Sequence, residues 1–444
     1  MMNTKSIKNN AAILISLVLL SACSGKNPFA IEKKLDMPGE RIPIIEKSKD
    51  LELRSDASAA PSTPEKTSLK EYNGFYQDFH HIQNLDWNQN LNKLHSIAFM
   101  GNSTLINPSN IVVLDEKIYA MSSDGIVYCY NIAGDNIWQN DLFREFEKKS
   151  YFSFMSEKFI GGALKIEGNI LYISTGSAHL GAFNIHTGEK IFLINLTSPS
   201  RSIPVVHDDL VIVQTVDNNI HAFNKDDGTG IWAFSGMPAE VNALALNEPL
   251  IINEKLIAKL STDDLIALDV QTGMEIWETP MSKYGAIGKA KTNFTDMQKI
   301  AFHDSYIYAS SEDGKLSKVS IETGEIVWSK ELMVNSSIWI AGDLMYAVTT
   351  ENRLIAASIQ DGILIADYSL KTSDDDKDFE AFYGSPVMIN SKISVIRDDG
   401  LMLSVSLDDG SIATNAVSEH IYSEPKLVNG KLLLLSNDGQ IDLY

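Results

Sequence analysis

Hydrophobic positions along most of this chain fall into short apolar runs, each closed by a tight polar turn. The clearest stretch is Ala267–Trp277, which reads Ala-Leu-Asp-Val-Gln-Thr-Gly-Met-Glu-Ile-Trp. A short apolar strand leads into an Asp-x-x-Thr-Gly turn, and a second strand leaves it through Ile-Trp. The turn calls for glycine because one of its positions takes φ > 0, which glycine alone adopts at no steric cost. Alternation on either side suits strands with one face on a core. One such hairpin is marginal by itself, whereas a periodic set can bury a common core by stacking.

The unit recurs. Aligned on the turn glycine, the copies fall at Gly134, Gly188, Gly228, Gly273, Gly324, Gly362 and Gly410, with a mean interval of 46 residues and single intervals from 38 to 54. Four residues after the glycine come Trp138, Phe192, Trp232, Trp277 and Trp328, then Ala366 and Thr414 in the last two copies. Four of the six tryptophans hold this position, and Trp87 lies 51 residues before Trp138, about one more period. Several strands per unit at this period predict the blades of a propeller.

Each unit has the same order of strands. In the first they are Asn110–Leu114, Lys117–Met121, Ile126–Asn131 and Asn136–Trp138, with a turn at Asp124-Gly125. The eighth unit ends early: Lys431–Ser436 and Ile441–Tyr444 are followed by no fourth strand. Asn84-Leu85-Asp86-Trp87 is expected to supply it, which would close the ring and remove two exposed sheet edges. The fold class expected is therefore all-β: an eight-bladed β-propeller of four-stranded antiparallel blades, its last blade closed by an N-terminal strand. Trp87, Trp138, Phe192, Trp232, Trp277 and Trp328 are read as structural docking residues.

The N-terminus follows a different pattern. Lys5 and Lys8 precede an apolar run over 11–20, broken only by Ser16. That run is too short to span a bilayer and matches the apolar region of a signal peptide. It ends in Leu20-Ser21-Ala22-Cys23, which resembles a bacterial lipobox, where cleavage precedes a cysteine that carries a diacylglyceryl group. The resemblance implies a lipidated Cys23, and Ser24 after it favours the outer membrane. From Ser24 to about Lys70 the chain is rich in Lys, Glu, Ser, Pro and Asp and is expected to form a flexible tether. The organisation expected is a signal peptide over 1–22, lipidated cysteine and tether over 23–80, and a propeller over 81–444.

Among 444 residues the formal net charge is −21. That sign opposes a broad phosphate-binding surface, so nucleic acid is not an expected partner. The two cysteines, Cys23 and Cys129, exclude a disulfide framework and a cysteine-based zinc site. Cys129, inside an apolar strand, is read as a small buried hydrophobe. No Gly-x-Ser-x-Gly elbow and no Gly-x-x-x-x-Gly-Lys-Ser/Thr loop occurs. His80-His81 lacks a second ligand cluster, and Asp374-Asp375-Asp376-Lys377-Asp378 lacks the glycine and distal Glu of an EF-hand. Neither catalytic, cofactor-binding nor metal-ligating residues are expected.

The repeat resembles the tryptophan-docking motif Ala-x-Asp-x-x-x-Gly-x-x-x-Trp of pyrroloquinoline-quinone (PQQ) dehydrogenase propellers. Ala267, Asp269, Gly273 and Trp277 match it fully; Ala222, Gly228 and Trp232 match in part, as do Ala182, Gly188 and Phe192. The whole layout of lipobox, short tether, eight repeats and incomplete last blade is similar to the BamB-type outer-membrane assembly lipoproteins. That resemblance implies a non-catalytic scaffold without cofactor on the periplasmic face of the outer membrane. It would dock on the POTRA domains of BamA beside other components of the machinery and assist outer-membrane protein clients. In the family a loop between early blades carries an Arg with leucines, and a nearby loop carries acidic residues. Here Leu196-Thr197-Ser198-Pro199-Ser200-Arg201-Ser202 lies in the comparable place, so Leu196 and Arg201 are candidate contacts. The acidic pair is not matched; Glu248 is the acidic residue near it. The aromatic-rich stretch 139–160 reads either as an ordered insertion between blades or as a second partner site. Two other readings stay open from the sequence: a lipid-anchored propeller binding another envelope ligand, and a PQQ-dependent dehydrogenase, against which the missing Cys-Cys pair and the short chain speak.

Overall fold

The computed structural model describes residues 63–68, 71–72, 84–87, 91–98, 111–122, 125–142, 161–200, 202–237, 248–282, 300–371, 381–417, 425–436 and 439–444. Seven four-stranded antiparallel sheets follow one another in chain order: blade 1 over 112–141, blade 2 over 162–195, blade 3 over 205–235, blade 4 over 250–280, blade 5 over 301–331, blade 6 over 339–369 and blade 7 over 387–416. The eighth takes Lys426–Val428, Lys431–Leu435 and Gln440–Leu443 from the C-terminus and His95–Ala98 from the N-terminal side. No helix occurs among the described residues. This is the eight-bladed propeller that the repeats predict.

Burial explains the strand order. Second strands such as Leu256 to Lys259, and third strands such as Leu265 to Leu268, are buried on both faces because each blade lies between two others. Fourth strands, such as Asn136–Asp141, are mostly exposed and form the outer edge. First strands of successive blades touch one another, which puts them around the axis.

In blades 1 to 6 a fourth-strand aromatic pins the blade to the next. Trp138 of blade 1 donates its indole N–H to the Ile185 carbonyl of blade 2 at 2.9 Å. Trp232 does the same to Val270 at 3.1 Å and Trp277 to Ile321 at 3.0 Å. Each acceptor lies three residues before the next blade's turn glycine, and the ring packs on that glycine. A Cβ on Gly188, Gly273 or Gly324 would stand 2.6, 2.4 or 2.7 Å from the docked ring, and all three glycines have φ of 70–73°. Phe192 packs on Gly228 and Trp328 on Gly362 in the same way. Where Ala366 holds the tryptophan position, Tyr368 two residues on packs on Gly410.

The eighth blade corrects the expectation for Trp87. The closing strand is His95–Ala98, paired to Gln440–Leu443, and not Leu85–Trp87. His95 pairs with Leu443, four residues after Gly439, as Trp328 pairs with Lys318, four after Gly314. It therefore holds the tryptophan position, and its Nε2 lies 3.0 Å from the Ile132 carbonyl of blade 1. Ile97, two residues on, packs on Gly134. Trp87 instead lies on the axis side of blades 7 and 8. Leu85 bridges in parallel to Ile389, the Trp87 N–H donates to Asn390 Oδ1 at 3.2 Å, and its indole N–H donates to the Gly430 carbonyl at 2.9 Å. Thr67 bridges to Leu85, and Glu71–Tyr72 pairs with the first strand of blade 8. The fold's hydrogen bonding thus reaches upstream of residue 81, where the expected tether gave way to the propeller.

Candidate docking surface

Up-and-down strands put every turn between second and third strands, and every connection between blades, on one face. The connection from blade 2 to blade 3 is tied down there. The Leu196 N–H donates to the Ala178 carbonyl at 2.8 Å and the Ser200 N–H to the Thr175 carbonyl at 3.0 Å. Ser200 Oγ donates to the Gln214 carbonyl at 2.8 Å, and Ser174 Oγ to the Ser202 carbonyl at 2.5 Å. Ser200 and Ser202 are both buried. Arg201 between them lies outside the described residues, as do Cys23, His80-His81, the aromatic stretch 143–160 and the Asp374–Asp378 run.

The other two candidate contacts are not surface side chains. Leu196 is 8% exposed and packs in the apolar cluster of blades 2 and 3 with Leu180, Val211 and Val213. Glu248 is 7% exposed and pairs with Lys165 of blade 2 at 3.4 Å. What the described part of this loop offers to solvent is Thr197 and Pro199. Sequence reasoning missed Met237, which is 76% exposed in the blade 3–4 connection on the same face. The signal was available: Met237 follows Ser235-Gly236 at the end of an outer strand, where no core position is expected.

The face is braced across successive seams. The Asn218 amide donates to the Met237 carbonyl at 2.8 Å and accepts from the Ser261 N–H of blade 4 at 2.8 Å. Gln214 Nε2 donates to the Lys259 carbonyl at 3.0 Å. Lys259 Nζ, buried, donates to the Ser310 carbonyl of blade 5 at 2.6 Å and pairs with Asp263 at 2.8 Å. Asp263 in turn accepts from the Glu312 N–H at 2.9 Å. His221 Nε2 lies 3.1 Å from Thr197 Oγ1, and burial lowers its pKa, so the ring is neutral there at pH 7. Side-chain-to-backbone bonds of this kind hold the loops in fixed places and suit a rigid platform for a partner. Cys129, between blades 1 and 2, has its thiol pushed up to about 11 by burial and is not a nucleophile.

Eight blades, six of them with a fourth-strand aromatic docked on the next blade's glycine turn, define a PQQ-like β-propeller. A family model described as "Outer membrane protein assembly factor BamB" matches residues 123–365 and 295–442, and the chain belongs to that family. The outer membrane protein assembly factor BamB of Yersinia pestis is 25% identical over 330 residues, covering 73% of this chain and 81% of that protein. The Salmonella typhimurium protein of the same name is 25% identical over 340 residues, covering 74% and 82%. An uncharacterized protein of Rickettsia conorii is 23% identical over 337 residues, covering 73% and 78%. The crystal structure of BamB from Moraxella catarrhalis aligns with a TM-score of 0.63 at 20% identity, covering 80% of this chain and 99% of that one, which shows the shared fold.

Proposed function

We propose that the protein is a non-catalytic scaffold of the outer-membrane β-barrel assembly machinery. It is held to the periplasmic face of the outer membrane by lipid on Cys23 and docks on the POTRA domains of BamA. The family match over 123–442 carries this reading. The braced face of blades 2 to 5 supports it, because a platform that holds its loops in place loses little entropy on binding. In this reading Arg201 meets the partner together with the exposed Pro199 and Met237, while Leu196 and Glu248 are buried and support their own loops. Client chains pass near this face while BamA receives them.

The test is a mild-detergent pull-down of the full-length protein from its native envelope, read by mass spectrometry. Stoichiometric BamA is expected, with a loss of about tenfold or more in Arg201→Glu, in line with reversing a charge inside an interface. A clean preparation without BamA, from cells rich in BamA, overturns the reading. The full-length protein is expected to incorporate labelled palmitate and the Cys23→Ala protein none; label retained in Cys23→Ala overturns the lipid anchor.

A further inference from the structure

On the opposite face, the turns between first and second strands bring together three donor side chains from two blades. Blade 3 turns through His207-Asp208-Asp209, and blade 4 through Asn253-Glu254. His207 Nε2 lies 3.1 Å from Glu254 Oε2 and 3.7 Å from Asp208 Oδ2. The three donor atoms lie within 4.8 Å of one another. An ion bonded to each at about 2.0–2.2 Å would hold such atoms roughly 3–3.5 Å apart, so small side-chain rotations close the set on one ion. The imidazole is half-buried and fixed by its strand; both carboxylates are exposed to solvent and within its reach. Gln271, from the glycine turn of blade 4, donates to Asp208 Oδ2 at 3.1 Å, and it orients that carboxylate as outer-shell groups do in metal sites.

The fold contains its own comparison. His303-Asp304 repeats the dipeptide at the same turn of blade 5, with His303 Nε2 3.5 Å from Asp304 Oδ2. The next blade presents Gly342-Asp343 there, and among the described residues no third donor joins that pair. Among the described residues, only the blade 3–4 seam completes a set of three.

We propose that His207, Asp208 and Glu254 bind one divalent transition-metal ion of the zinc class, which clips blade 3 to blade 4. One imidazole nitrogen with two carboxylates suits a borderline ion, whereas calcium and magnesium take oxygen donors. Two carboxylates give the set the negative charge that a dication neutralises. The ion would leave at least one coordination position to water and would tie together two turns 47 residues apart in sequence. Because it binds only where the two blades are assembled, it stabilises the folded protein by mass action.

The experiment titrates Zn2+ into the full-length, chelator-stripped protein by calorimetry, with thermal melts at each Zn2+ concentration. His80, His81 and the 374–378 run also offer donors, so differences between variants carry the result. His207→Ala and Glu254→Gln are each expected to lose one equivalent of Zn2+ and the melting shift that goes with it. Gln271→Ala is expected to weaken that equivalent about 10–100-fold, as outer-shell removals do. His303→Ala is expected to titrate as the parent does. Melts in chelator check that each variant is folded, and Glu254→Gln, which keeps a side chain of the same shape beside His207, decides the matter if His207→Ala is not. Unchanged stoichiometry in the two ligand variants, or an equal loss in His303→Ala, overturns the proposal.

Discussion

Gly273→Ala separates the two reasons for glycine at the blade seam. The first is conformational: φ is +70°, where an L side chain costs about 1–2 kcal/mol. The second is packing. The new Cβ would stand 2.4 Å from Cε3 of Trp232, an ångström or more inside ordinary contact, so the indole has to move. Moving it strains the seam by about 1–3 kcal/mol, the range for an extra methylene in a packed core. It also weakens the Trp232 hydrogen bond to Val270, worth about 0.5–1.5 kcal/mol. The combined expectation is about 3–6 kcal/mol, a large part of a typical domain's 5–15 kcal/mol. Gly168 is the control: its φ is +56° and nothing lies within 4 Å of the Cβ it would gain. Gly168→Ala should therefore show the conformational cost alone, about 1–2 kcal/mol. Urea unfolding followed by tryptophan fluorescence gives both values. If the two variants agree within about 0.5 kcal/mol, the docked ring does not require glycine and the packing argument is refuted.

Two more outcomes are expected. His95→Ala should open the seam between blades 8 and 1, lowering stability by about 1–2 kcal/mol for the lost hydrogen bond and packing; hydrogen exchange should quicken first at the backbone amides of 440–444, and a uniform change across all blades would contradict this. At high pH the sign follows from burial. The Cys129 thiol is pushed up to about 11 and the Tyr130 and Tyr172 phenols up to about 12, and burial raises Tyr308 and Tyr346 further. These groups ionise earlier in the unfolded chain, near 9–10. Their contribution to stability is therefore intact below pH 9 and is lost as pH rises through 12. A urea midpoint that stays flat from pH 9 to 12 would sink that account, as would native-state labelling of Cys129 at pH 8.

The sequence by itself determined the blade. A glycine turn, an apolar third strand and an aromatic four residues after the glycine are local features, written within about a dozen residues and repeated often enough to be read. Fold class and blade number follow from that period. The docking role of Trp138, Phe192, Trp232, Trp277 and Trp328 could be read with it, because ring and glycine recur at fixed offsets.

What closes the ring, and what faces solvent, was decided only by tertiary structure. Trp87 looked like the missing docking residue because tryptophan is distinctive, yet His95 holds that place. His95 lies 43 residues before Trp138, nearer the mean period than Trp87 does. The strand that closes the last blade pairs with residues more than 340 positions away, and its fit depends on register against Gln440–Leu443, which no local signal encodes. Leu196 and Glu248 sit in two segments that read as exposed loops, but the first folds back onto the second-strand ends of blades 2 and 3 and carries Leu196 inside. Glu248 finds its cation two blades away, at Lys165. His207, Asp208 and Glu254 are unremarkable turn residues in each blade alone and become a set of donors only where two blades meet. Turn chemistry depends on a few neighbouring dihedrals and is legible along the chain, whereas burial and convergence depend on which blade lies alongside, and that is fixed only when the ring closes.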